Sequence, residues 1–406
     1  MGLIQRTVEE IKLRKQRLEE GKINSIPTNF NRFSDDFIGV EQSTYYLVTA
    51  ATKVGKTQVG SNLFVYQPLE YAFNNPDKLK IHYFYYNLEE PDTRVTERYI
   101  SHLLYTMTEG QIRVNPSNLR SSNNNRPLPN NVVEMIDSES FQERLNFFEQ
   151  SVSFSPTSNP TGIYKECVEY AESHGTIHKK KIMMKDDSVP HLPGEKSKMV
   201  EREVFDYYEP DNPDEYRVIF VDHIGLVSTE RGMDLRETIN KLSEYFVILR
   251  NRYKFTIVAI HQQAFFEGMD AYKLNKLKPE VANLADSKAV ARDIDYCLGI
   301  FSPYKYELDS YMGYDITKLR DNIRFFQVLL NRNGTANGII AMYFDGDVSF
   351  IEELPLPSDL TSLAKIYAYI QKLRSQPVIK KVFLVFKKRY GEYLYHFRKK
   401  WNRKIH

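Results

Sequence analysis

Residues 45–57 read Tyr45-Tyr46-Leu47-Val48-Thr49-Ala50-Ala51-Thr52-Lys53-Val54-Gly55-Lys56-Thr57. The unbroken apolar run 45–50 predicts a strand buried on both faces, and Gly55-Lys56-Thr57 falls where that strand passes into a helix reaching Tyr71. Residues 50–57 fit the phosphate-binding loop pattern, with Ala50 in place of the first glycine. The chemistry explains the pattern. In that pattern backbone N–H groups, here of Ala50, Ala51, Thr52, Lys53, Val54 and Gly55, are expected to wrap phosphates at a helix N-terminus, Lys56 to reach the β and γ oxygens of a nucleotide such as ATP, and the Thr57 hydroxyl to ligate Mg²⁺.

Outward from this loop, apolar runs alternate with helical patterns. KIHYFYYN (80–87), RVIFVDHIGLV (217–227) and FTIVAIHQQ (255–263) read as three more buried strands, and Gly162–Ser173 and Leu235–Tyr253 as helices. Tyr296–Phe301, Phe325–Leu330 and Gly338–Phe344 read as shorter strands, the last two paired across an Asn333-Gly334 turn. The order predicts an α/β fold with a central, mostly parallel sheet. Three parts are expected: an amphipathic helical segment at 1–24, a core at 25–352, and a linker with a basic aromatic tail at 353–406. Within the core, 110–160 reads as a polar loop or insertion, with 119–131 its clearest flexible stretch, and 176–215 as a surface insertion.

A phosphate loop needs acidic partners. Asp222, closing the apolar run Val218–Val221, is the carboxylate expected to hold Mg²⁺ with Thr57, in a Walker B arrangement. Asn87-Leu88-Glu89-Glu90 places two acids just after the second strand, and either is a candidate base for an attacking water. Gln262, ending the fourth strand, is a candidate sensor of the γ-phosphate. The histidines and the two cysteines show no metal-ligand spacing, so no zinc site is expected.

The 406 residues carry a formal charge of +2, which conceals an asymmetry. From Thr361 to His406 there are thirteen Lys/Arg and one acid, Glu392, a net +12, so residues 1–360 carry −10. With 42% hydrophobic and 27% charged residues the chain is an ordinary globular one. Two cysteines exclude a disulfide scaffold, and with no signal sequence or apolar span the expectation is a cytoplasmic protein without membrane partners.

The order of these motifs resembles the DnaB-type replicative helicases, hexameric motors of the RecA fold, over about residues 25–350. SIPTNFNRFSDDFIGVEQSTYYLVTAATKVGKT (25–57) looks like the segment leading into their phosphate loop, where alanine commonly takes the first position. NLEE resembles their Ser-Leu-Glu-Met motif, which implies Glu89 rather than Glu90 as the catalytic glutamate, and Arg98 falls on an arginine of the following helix. SPTSNPTGIYKECVEYAESHG resembles the segment before Walker B, VIFVDHIGLV Walker B itself, and IVAIHQQ the strand ending in the family's glutamine. NLADSKAVARDIDYCLGI is similar to the stretch ending in the acidic Gln-Asp-Ala-Asp signature. Asn331-Arg332-Asn333-Gly334 looks like the Gln-Arg-Asn-Gly that presents an arginine finger to a neighbouring subunit's ATP. Two departures stand out: Leu330 replaces the lysine two residues before the finger, and Ala285-Asp286-Ser287-Lys288 replaces a DNA-contacting Arg-Glu-Ser-Gly.

The resemblance implies a RecA-like core assembled head to tail as a ring homo-oligomer, a hexamer, using ATP and Mg²⁺ to move along single-stranded DNA and unwind duplex. Primase or a loader is the implied partner. It further implies that the N-terminal helix docks on the adjacent subunit and that a core lacking the globular N-terminal domain is a phage or mobile-element protein acting in a bacterial host. Arg231 and Arg236 after the third strand, and Lys273, Lys276 and Lys278 after the fourth, are the expected DNA-backbone contacts, with Lys288 beside them. The tail interleaves Lys/Arg clusters with Phe383, Phe386, Tyr390, Tyr393, Tyr395, Phe397 and Trp401, which suits single strands or, equally, a small helical module binding an acidic partner. Two other functions stay open: a RecA-fold mediator of recombination or replication without unwinding, and a nucleic-acid-binding scaffold with a degenerate ATPase.

Overall fold

The computed structural model describes residues 3–125, 127–185, 199–263, 278–284, 289–336 and 338–375. Nine strands form the main sheet: β1 (Tyr45–Ala50), β2 (Lys80–Asn87), β3 (Val152–Phe154), β4 (Glu215–Asp222), β5 (Thr256–Gln262), β6 (Tyr296–Phe301), β7 (Ile323–Asn331), β8 (Ile339–Asp345) and β9 (Phe350–Glu353), in the spatial order β9-β8-β7-β6-β1-β5-β4-β2-β3. The six strands from β6 across to β3 pair in parallel, and β7, β8 and β9 add antiparallel pairs at one edge.

β1 lies mid-sheet and is buried at every position, which is why it reads as an unbroken apolar run rather than an alternating one. Its side chains alternate between two cores. Tyr46 and Val48 join Tyr83, Tyr85, Val218, Phe220, Val258 and Ile260 on one face, packed by Val59 and Leu63 of the helical stretch after the loop. Tyr45 and Leu47 join Phe84, Tyr86, Ile219 and Ile257 on the other, under Ile163, Ile239, Leu242 and Phe246 of two helices, Pro160–Ser173 and Leu235–Tyr253. The second of these helices starts with a capping box, Asp234 accepting from the Glu237 N–H while the Glu237 carboxylate accepts from the Asp234 N–H.

Several segments differ from the sequence expectation. The polar stretch 110–160 holds the helices Asn130–Ile136 and Glu139–Ser151 and the edge strand β3, because Val132, Phe141, Phe148 and Val152 are enough to attach it to the core. The 176–215 insertion is an antiparallel hairpin, Gly175–Lys185 against Met199–Pro210. The expected linker-and-tail region contains a helix, Leu360–Ser375, whose Leu363 and Ile370 are buried against Phe301, Ile323 and Phe325. The stretch 376–406, with the aromatic and basic clusters of the tail, lies outside the described residues.

The N-terminal helix, Leu3–Glu19, is held by its polar side: Arg6 to Asp206 of the hairpin, Arg14 to Glu41, and Arg17 to Asp214. Ile4, Val8, Ile11 and Leu18, at the spacing of one helical stripe, remain exposed. Among the described residues no helix is long and apolar enough to cross a membrane.

Candidate functional site: a phosphate loop at the sheet edge

The carboxyl ends of β1, β5, β4 and β2 converge on one edge of the sheet, and the residues singled out by chemistry gather there. Register fixes the arrangement: Ala50 lies opposite Gln262, and Asn87 opposite Asp222. The loop 50–57 leaves β1 at Ala50, whose carbonyl accepts from the Gln263 N–H, and enters a helix at Lys56. Gly55 has φ +96°, and a Cβ there would lie 2.6 Å from the Phe344 ring, so the turn demands glycine on both conformational and steric grounds. Helical structure then continues from Lys56–Ser61 through a π-helical turn, Asn62–Tyr66, to Gln67–Asn74.

Side chains from elements distant in sequence grip the loop. The Gln262 amide donates to the Thr52 hydroxyl at 2.8 Å, the Lys305 ammonium to the Thr52 carbonyl at 2.6 Å, and the Arg324 guanidinium to the Val54 carbonyl at 2.6 Å. Arg324 is 1% exposed, lies over the Phe344 ring at 4.3 Å and also donates to the Asp321 carboxylate. Neither Arg324 nor Lys305 was legible in the sequence, since no local pattern announces a contact across some 250 residues.

The acids separate cleanly. Glu89 Oε2 lies 3.6 Å from Lys56 Nζ, whereas Glu90 pairs with Arg98 and accepts from Asn87 through its backbone carbonyl. The Leu88 N–H donates to the Asp222 carbonyl at 2.8 Å, so the strand carrying Glu89 is tied to the strand carrying Asp222. Burial pushes the Asp222 carboxyl up to about 6, opposed by a hydrogen bond from Thr57 and by the Lys56 charge. Asp222 is 1% exposed, and its Oδ1 has no hydrogen-bond partner among the described residues. A buried oxygen left open beside a hydroxyl fits a divalent cation whose remaining ligands are water and phosphate oxygens. No cluster of three or more His, Cys, Asp or Glu among the described residues offers an all-protein metal cage.

Arg332 is exposed and stands apart. Asn331 pairs with Tyr296, which pairs with Tyr46 at the start of β1, so Arg332 sits at the opposite edge of the sheet from its own chain's loop. Four residues of strand separate those levels, on the order of 13 Å before any loop is counted. Arg231, between β4 and the helix Leu235–Tyr253, and Arg236, in the first turn of that helix, are exposed at the sheet edge that carries the loop 50–57. Lys278 is exposed, its ammonium 5.5 Å from the Tyr311 ring. Lys273, Lys276 and Lys288 lie outside the described residues, as does Ala285-Asp286-Ser287.

A cavity of about 580 Å³ opens beside these acids, lined by Asn87, Asp92, Thr93, Ser155, Ser158 and Ser228 among others.

No protein-family profile and no curated protein sequence matches the chain. Solved structures do. One of them, described as an ATPase domain, superposes with a TM-score of 0.57 at 12% identity, covering 87% of this chain and 100% of that one. A DnaB-like replicative helicase, described with its interactions with primase, superposes with a TM-score of 0.55 at 13% identity, covering 86% of this chain and 66% of that one. Sheet order, loop placement and these superpositions agree: the chain has the RecA-like α/β fold of the ATPase domains of DnaB-like replicative helicases.

Proposed function

We propose that the chain is an ATP-driven DNA helicase whose active sites form between subunits of a ring. The observation that carries this reading is the split of the candidate residues between opposite edges of the sheet: Lys56, Thr57, Glu89, Asp222 and Gln262 at one, Arg332 at the other. Arg332 does not reach its own chain's loop, while head-to-tail packing sets the far edge of one copy against the loop edge of the next. In this reading Lys56 and the loop amides bind the phosphates, Thr57 and Asp222 hold Mg²⁺, Glu89 orients the attacking water, and Arg332 stabilises the transferred phosphoryl in trans. The exposed stripe Ile4, Val8, Ile11 and Leu18 supports a second contact between neighbours, the N-terminal helix lying on the adjacent copy. Arg231, Arg236 and Lys278 supply backbone contacts to single-stranded DNA without reading bases. Primase is a candidate partner because one structural neighbour is described with it.

Strand separation on a forked duplex with ATP and Mg²⁺ tests this reading. Unwinding that disappears in Lys56→Ala supports it. ATP turnover without unwinding points to a mediator of the same fold, and DNA binding with no turnover at all to a scaffold.

A further inference from the structure

The turn Tyr304–Tyr306 follows β6 and brings a third lysine to the phosphate loop, after Lys53 and Lys56. Lys305 Nζ lies 2.6 Å from the Thr52 carbonyl oxygen, while the hydroxyl of the same threonine takes the Gln262 amide. Thr52 is thus gripped from both flanks of β1, by β5 on one side and by the turn after β6 on the other. Lys305 is exposed as a residue, and the hydrogen-bond partner of its ammonium among the described residues is a neutral carbonyl, with no carboxylate to balance its charge. Partial burial, and then the nearby Lys53 ammonium, push its pKa below the usual lysine value. Two ammonium groups facing one loop repel each other, and an anion between them removes the penalty. A second feature adds to the need for charge on this side. The turn carrying Arg332 has Leu330, Asn331 and Asn333 around it, so it brings one cation and no more to any phosphate it meets.

We propose that Lys305 is a phosphate-binding residue of this site, its ammonium reaching from the Thr52 carbonyl to the polyphosphate chain of the nucleotide bound in the same subunit. The inference rests on the ATP-site reading above and adds to it a cation that the phosphate-loop pattern does not contain. Lysine suits the task as a compact point charge with donors to spare: one N–H stays on Thr52 while the others meet phosphate oxygens.

Two variants and two ligands test this. Binding of an ATP analogue that resists hydrolysis, and competition by inorganic tripolyphosphate, are measured for the full chain and for Lys305→Met and Lys305→Arg, together with their melting temperatures. A charge-assisted hydrogen bond to phosphate predicts a loss of about tenfold or more for both ligands in Lys305→Met, partial recovery in Lys305→Arg, and an unchanged melting temperature. Loss for the ATP analogue but not for tripolyphosphate would overturn the proposal in favour of a contact to the base or ribose. Equal affinities in all three proteins, or a loss for both ligands accompanied by a lowered melting temperature in both variants, would reduce Lys305 to a latch on the loop. If the unaltered chain binds neither ligand, the ATP-site reading itself fails, and the inference with it.

Discussion

Lys56 Nζ and Glu89 Oε2 stand 3.6 Å apart, so the loop lysine and the candidate catalytic carboxylate form an ion pair. In the proposed reading, phosphate oxygens entering the loop would compete with Glu89 for Lys56 and leave the carboxylate available to water. The neighbouring acid is committed elsewhere, since Glu90 pairs with Arg98. Glu89→Gln is therefore expected to cut ATP turnover by roughly 10²- to 10⁴-fold while nucleotide binding persists. Glu90→Gln should instead lower stability by about 1 kcal/mol or less, because its pair is partly exposed. Steady-state turnover and equilibrium unfolding of the two variants separate these roles.

Arg324 acts on the loop through the Val54 carbonyl. Arg324→Met leaves that carbonyl and the Asp321 carboxylate without their donor, so a destabilisation of about 1–3 kcal/mol is expected. ADP and ATP affinities should fall together, since the substitution alters the shape of the loop and spares each phosphate's own partners. Denaturant unfolding, read beside nucleotide titrations, checks both statements.

A buried histidine sets an acid limit. His102 is packed against the Tyr66 ring at 4.8 Å, and burial pushes its pKa down to about 4, against an opposing pull from the Val348 and Ser349 backbone. In the unfolded chain it protonates near pH 6.5, so between pH 6.5 and 4 the unfolded state takes up a proton that the folded state refuses. The stabilising contribution is complete above pH 6.5 and falls as the pH drops, by up to about 3 kcal/mol. His102→Gln should flatten this part of the stability profile, measured by urea unfolding at several pH values.

The boundary of the basic tail matters for its test. Deleting from Thr361 would strip Leu363 and Ile370 from a buried cluster, whereas residues 376–406 carry ten Lys/Arg against Glu392 and lie beyond that helix. A chain ending at Ser375 should keep its melting temperature and basal ATPase. It should bind single-stranded DNA more weakly, its salt slope shallower by about 0.7 for each phosphate it no longer neutralises. Unchanged DNA binding would assign the tail to a protein partner.

What the sequence disclosed follows from where each residue stands. β1, β2, β4 and β5 are covered on both faces, and continuous apolar runs announce such strands. The loop 50–57 is legible because its constraints are local: one glycine, one lysine, one hydroxyl. The hairpin Gly175–Lys185 with Met199–Pro210 escaped because it is largely exposed, and its lysines and glutamates carry no burial pattern. β3 is three residues long, too short for any periodicity. Leu360–Ser375 did offer Leu363, Ile366, Tyr367 and Ile370 at helical spacing, but the charge of the tail dominated the reading. Glu89 and Glu90 are indistinguishable by spacing; the motif resemblance favours Glu89, and the structure separates the two acids by their partners, Lys56 and Arg98.

In the proposed reading the ATP site is shared between neighbouring copies. Glu89→Gln disables the loop edge of a subunit and Arg332→Ala its far edge, so each variant alone should be inactive. In an equimolar mixture, roughly one interface in four joins an intact loop edge to an intact far edge if subunits assemble at random. ATP turnover of that mixture is the most direct measurement: the account predicts recovery well above either variant alone. Full activity of Arg332→Ala by itself, or no recovery from a mixture whose subunits are shown to co-assemble, would contradict it.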